Sequence, residues 1–136
     1  MSEFVDTSIL QDLDIDGAVA PSTLPGDQQY ELQVTRTEIN GEKSYIAVQL
    51  DAVGADPFTK SIRHMIFLPK ADDDDKKRNN KLYGYKQFCQ AFGIEGEDRK
   101  NPEIWIGKTG YAILGEEDNP PYGRQNTLKR LVGSDS

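Results

Sequence analysis

Cationic side chains stand beside aromatic ones at several points of this chain. Lys43 is two residues from Tyr45, Tyr122 is two residues from Arg124, and Lys129 and Arg130 stand together near the end. A Lys or Arg neutralises a phosphate, and a flat ring offers a surface on which a base stacks at roughly 1 to 3 kcal/mol per base. Interleaved, the two suit a polyanion with exposed bases. Lys60, Arg63 and His64 form a further polar group within one apolar run. Catalytic chemistry has less to work with. Cys89 and His64 are the sole Cys and the sole His, so no partnered thiol or imidazole and no metal-ligand spacing is present. No nucleotide-binding glycine loop follows a strand. The acids Asp72 to Asp75 lack an apolar wall that would raise a carboxyl pKa. The expectation is a binding protein with no enzymatic activity, no cofactor and no metal.

The overall charge of −7 speaks against a polyanionic partner until its distribution is considered. Residues 1 to 26 hold Glu3, Asp6, Asp12, Asp14 and Asp16 with no Lys or Arg. Without those five, 18 acids of the total 23 stand against all 16 basic residues, so residues 27 to 136 carry about −2. Local clustering, rather than the sum, decides binding. The mean hydropathy of −0.67 also fits a chain in which part of the sequence stays outside the core. That part is an acidic, flexible N-terminal tail over residues 1 to 26, ending in the Pro- and Gly-bearing stretch 20 to 26. Phe4, Ile9, Leu10, Leu13 and Ile15 are spaced for a short amphipathic turn, which Asp12, Asp14 and Asp16 interrupt. The opening residues lack the basic and then apolar pattern of a secretory leader, no apolar run is long enough for a membrane span, and the Cys is alone, so an unexported protein of a reducing cytoplasm is the expectation.

From residue 28 the pattern changes to period two. Tyr30, Leu32 and Val34 alternate with polar residues, and Asn40-Gly41 supplies residues suited to a tight hairpin. A second strand is expected over 43 to 53, with Ile46, Val48 and Leu50 facing the core. A third over 59 to 68 is closed by Pro69. Asp72 to Asp75 and Lys76-Lys77-Arg78 read as a solvated loop. A helix over 79 to 93 follows, capped by Asn79 or Asn80 and ended by Gly93, with Leu82, Tyr85, Phe88, Cys89 and Phe92 on one stripe. Strands over 104 to 114 and 126 to 132 complete the chain, Gly107 and Gly110 permitting bends in the fourth strand and a turn-rich stretch at 115 to 125 separating the two.

Three strands, a helix and two strands is the layout of an OB-fold, a partly open five-stranded Greek-key barrel. The expected domain covers residues 27 to 133, with 134 to 136 a frayed end. An OB-fold binds across strands two and three and the loops between strands one and two and between strands four and five. With Ile46, Val48 and Leu50 inward, Lys43, Tyr45, Ala47 and Gln49 point outward. Tyr45 is then the leading aromatic, although an outward Tyr also serves simply to cover a sheet face. Arg63 and His64 fall on opposite faces; Arg63 is assigned to the site and His64 to structure. Tyr122 and Arg124 lie in the loop between strands four and five, and Lys129 and Arg130 extend the basic track.

These landmarks resemble the OB-fold single-stranded DNA-binding proteins of tailed bacteriophages. The resemblance rests on Leu24-Pro25-Gly26 followed by Tyr30, on Tyr45 to Asp51, on Phe88-Cys89-Gln90-Ala91-Phe92-Gly93, on Trp105-Ile106-Gly107-Lys108, and on Tyr122-Gly123 with Asn126. It spans nearly the whole chain. It implies sequence-nonspecific binding that protects or organises single-stranded DNA in phage replication or recombination, in a bacterial host cytoplasm. It adds Lys108 to the candidates, supports Lys60 as the basic residue leading into strand three, and makes Trp105 a core residue. Two places depart from the pattern: 56 to 60 lacks the usual Gly-basic step, and the Asp72 to Asp75 run replaces a neutral loop.

The acidic tail has two readings, a solubilising leader or an element that mimics DNA or docks phage or host replication and recombination proteins. The rival to DNA binding is an OB module that contacts only proteins of such a complex, a reading the charge of −7 favours. Oligomeric state is left open by the sequence.

Overall fold

The computed structural model describes residues 7 to 118, 120 and 123 to 132. Five strands form one antiparallel sheet: β1 (Gln29–Asn40), β2 (Tyr45–Ala52), β3 (Ile62–Phe67), β4 (Thr109–Asp118) and β5 (Arg124–Val132). Their order is β3-β2-β1-β4-β5. One helix, α1 (Asp75–Ala91), lies between β3 and β4 in the chain. The sheet curls until its edges β3 and β5 touch, and α1 packs against both.

Alternation dictates what the sheet buries. Leu32 and Val34 of β1, Ile46, Val48 and Leu50 of β2, Ile62 and Ile66 of β3, and Ala112 and Leu114 of β4 face inward. From α1 and the chain after it come Phe88, Cys89, Phe92, Ile94 and Trp105. Phe88 is the hub, with ring centroids 4.5 Å from Phe92, 5.6 Å from Trp105 and 5.7 Å from His64. Trp105, fully buried, keeps its indole N–H satisfied by donating to the Asp98 carbonyl at 2.8 Å. Each such ring contributes about 1.5 to 3 kcal/mol by leaving water.

Helix α1 starts at Asp75, four residues before the position expected from the sequence. Asp74 caps it, its carboxylate accepting the Lys77 N–H at 2.7 Å, and Asp75 complements the positive end of the helix dipole. Lys76-Lys77-Arg78 is therefore the first helical turn rather than loop. Asp73 accepts the Lys70 N–H and pairs with Lys81 at 2.8 Å and Lys77 at 3.8 Å. The far end matches expectation. Gly93 adopts φ 66°, its N–H donates to the Gln90 carbonyl, and the Ile94 N–H reaches back to the Cys89 carbonyl at 2.9 Å; this is a Schellman closure. Leu82, expected on the buried stripe, is exposed; the less exposed position in that turn is Lys81, which pairs with Asp73.

Other boundaries differ for equally local reasons. Ile104 and Trp105 belong to a 3-10 turn, Pro102–Trp105, so β4 begins only at Thr109 and runs on to Asp118. The β1–β2 hairpin takes its left-handed residue from Ser44 (φ 59°) rather than from Asn40-Gly41. Asn40 instead accepts the Lys43 N–H through its side chain. Residues 22 to 26, which composition assigns to the tail, are bound to the sheet: Asn126 brackets the backbone of Leu24, and Tyr30 donates to the Pro25 carbonyl. Among the described residues no helix is long and apolar enough to cross a membrane.

Candidate nucleic-acid interface

One irregularity in β1 sets the composition of the outer face. Val34 pairs with Leu50, but the next pairing is Arg36 with Gln49, so Thr35 is an extra residue, whose hydroxyl donates to the Gln49 carbonyl at 3.3 Å. A bulge of this kind reverses which side chains face out beyond it. Without it Arg36 and Glu38 would follow Leu32 and Val34 inward. With it they stand outside, and Thr37 and Ile39 pair with the inward Val48 and Ile46.

The registers of β1, β2 and β3 then define three outer rows: Arg36–Gln49–Arg63, Glu38–Ala47–Met65 and Asn40–Tyr45–Phe67. Neighbouring strands are about 4.8 Å apart and successive rows about 7 Å apart. Phe67 is 53% exposed, and Tyr45 beside it is half-buried, its hydroxyl accepting from the Asn40 amide at 3.3 Å. Arg36 and Arg63 are both exposed, and neither joins an ion pair among the described residues. Gln49 is steadied between them by donating to Ser61, which donates to Asp51. A shallow hollow of about 170 Å³ lies among Arg36, Ala47, Gln49, Ser61 and Arg63. Ala47 is outward in register yet only 8% exposed, so it forms the hollow's floor.

The remaining candidates fall in separate places. Lys43 is exposed in the hairpin loop, two residues before Tyr45. Lys60 reaches across the touching edges to donate to the Arg124 carbonyl at 2.7 Å, and Arg124 pairs with Glu116 at 2.7 Å. Lys129 pairs with Asp27, while Arg130 is exposed opposite Ile113 on β5. Lys108 is held opposite Val34 by backbone hydrogen bonds just before β4. That puts it beyond β1 from the β2–β3 rows, apart from the other candidates. Tyr122 lies outside the described residues. Tyr45 and Arg63 thus share one face, Lys43 borders it, and Lys60 with Arg124 marks the end near the β4–β5 connection.

Arg36, Met65 and Phe67 belong to this face although the sequence reading did not select them. Alternation from Arg63 was a sufficient signal for Met65 and Phe67. Arg36 had none, because the bulge is invisible in the pattern. His64 faces inward and stacks on Phe88; burial pushes its pKa down to about 4, so it is neutral at pH 7. Cys89 is buried and its thiol is pushed up to about 11, which leaves little thiolate at neutral pH. No protein-family model matches this chain, and no curated protein matches it.

Proposed function

We propose that this protein binds single-stranded DNA without sequence preference, across the outer face of β2 and β3. The observation that carries the reading is the pair of rows Asn40–Tyr45–Phe67 and Arg36–Gln49–Arg63. Two adjacent rings offer stacking surface, and two arginines four residues along the same face offer phosphate contacts. The sheet itself is proposed to be an OB barrel. Supporting this are the strand order β3-β2-β1-β4-β5, the contact between β3 and β5, and the helix between β3 and β4. The sequence resemblance to phage single-stranded DNA-binding proteins extends the proposal to a role in phage replication or recombination.

The test is fluorescence anisotropy with labelled oligo-dT and a duplex of equal length, over a salt series. The single strand should bind preferentially, log affinity falling linearly with log salt by about 0.7 for each phosphate neutralised. Absence of binding at low salt, even after residues 1 to 19 are removed, rejects the proposal. It would favour the protein-interaction module that the charge of −7 suggests.

A further inference from the structure

The edges β3 and β5 touch, but no ladder joins them among the described residues. At one end the gap is already bridged by an extended piece of the chain itself. Ser22 forms a parallel bridge with Thr59, its N–H donating to the Phe58 carbonyl at 3.1 Å and its carbonyl accepting the Lys60 N–H at 2.8 Å. Two residues on, Leu24 gives its N–H to Asn126 of β5 at 2.8 Å and accepts from the Asn126 amide at 3.0 Å. The seam therefore takes extended backbone.

Its other end is open. A groove of about 450 Å³ runs between Ile66 of β3, Leu128 and Leu131 of β5, and the exposed turns of α1. Lys77, Lys81 and Arg130 line it. Lys77 and Lys81 share Asp73, and Arg130 has no acidic partner among the described residues. The groove has the properties of a strand site, with apolar anchors below, cations at the rim and unpaired strand edges on two sides.

A segment of matching pattern lies exposed in the same chain. In Asp12-Leu13-Asp14-Ile15-Asp16, acid and apolar residues alternate with period two; Leu13 is 57% and Ile15 76% exposed. As a strand, it would present Leu13 and Ile15 to one side and three carboxylates to the other. Its own groove is awkwardly placed for it. Because the Ser22 bridge is parallel, the chain before Ser22 leaves past Phe58, in the direction opposite to Phe67 and the open end.

We propose that residues 12 to 16 of one copy insert as an extended strand into the open end of the β3–β5 seam of a second copy. Leu13 and Ile15 pack on Ile66, Leu128 and Leu131, and the carboxylates meet Lys77, Lys81 and Arg130. The contact is tail to groove, and so builds closed rings, of which the smallest is a dimer exchanging both tails, or open chains. The inference is independent of DNA binding.

Sedimentation velocity of the full chain at increasing concentration tests it. Association should be seen by about 100 μM and should weaken roughly tenfold or more when Leu13→Asp and Ile15→Asp are combined. A charge exchange supplies the decisive arm. Neither D12K/D14K/D16K nor K77E/R130E should associate alone, whereas an equimolar mixture of the two should. All these side chains are exposed, and thermal unfolding of each variant verifies its fold. A chain that stays monomeric throughout, association indifferent to both sets of variants, or a silent mixture overturns the proposal. So does a monomer in which residues 10 to 16 are protected from hydrogen exchange, since the segment would then fold back on its own copy.

Discussion

Tyr45 and Phe67 are cross-strand partners on the outer face, the first half-buried and the second open to solvent. Under the proposed function each ring stacks a base, so Tyr45→Ala and Phe67→Ala should each weaken oligo-dT binding by about 1 to 3 kcal/mol. Anisotropy titrations at one salt concentration measure this directly, and unchanged affinity in both would move the site off this face. On the opposite side of β3, His64 makes a separate prediction. Its folded pKa of about 4 lies below the unfolded value near 6.5. The unfolded chain therefore takes up a proton first as pH falls, and stability is lost from about pH 6.5 down to about pH 4, to a total of about 3 kcal/mol. Urea unfolding at pH 7 and pH 4.5 should show this loss, and His64→Phe should abolish it. Asp73 acts in a lower window. The Lys70 N–H, then Lys81, holds its carboxyl below the usual range, so its contribution disappears only as pH falls below the ordinary carboxylate values.

At the scale of elements, α1 is positioned by its two ends. The Asp74 cap fixes where it starts, and the Gly93 turn delivers Ile94 into the core. At that C-terminal end the chain lies so close to β4 that Gly110 admits no side chain. A Cβ there would meet the Ala91 carbonyl oxygen at 2.6 Å and the Phe92 ring at 2.9 Å. Gly110→Ala should accordingly cost about 1 to 3 kcal/mol of stability, since backbone has to move to relieve the clash. Denaturant midpoints measure the cost. Oligonucleotide affinity at temperatures where the variant is folded should be unchanged, because Gly110 lies on the core side of the sheet.

Across the whole molecule, charge is segregated. The five acids before residue 20 carry the net charge from about −2 to −7. Removing residues 1 to 19 leaves Ser22 and Leu24 in place and should tighten oligo-dT binding at low salt by roughly tenfold or less. The gain should fade at high salt, where the screening length falls to about 3 Å near 1 M. An equal gain at every salt concentration would instead indicate that the tail occupies the face directly.

The sequence alone determined much of this molecule through signals that are local. Period two placed Ile46, Val48 and Leu50 inside, helical spacing placed Phe88, Cys89 and Phe92 there, and Gly93 marked the helix end. Each follows from one segment's own geometry. Tertiary structure decided the rest because it depends on partners distant in the chain. The extra residue at Thr35 exists only relative to Gln49 across the hairpin, and it alone brings Arg36 to the outer face. The earlier start of α1 is the local exception: Asp74 takes the Lys77 N–H three residues on, but in a run of four identical acids nothing singles it out as the cap. The separation of Lys108 from Tyr45 and Arg63, and the half-filled seam between β3 and β5, follow from strand order, which no alternation within a single strand encodes.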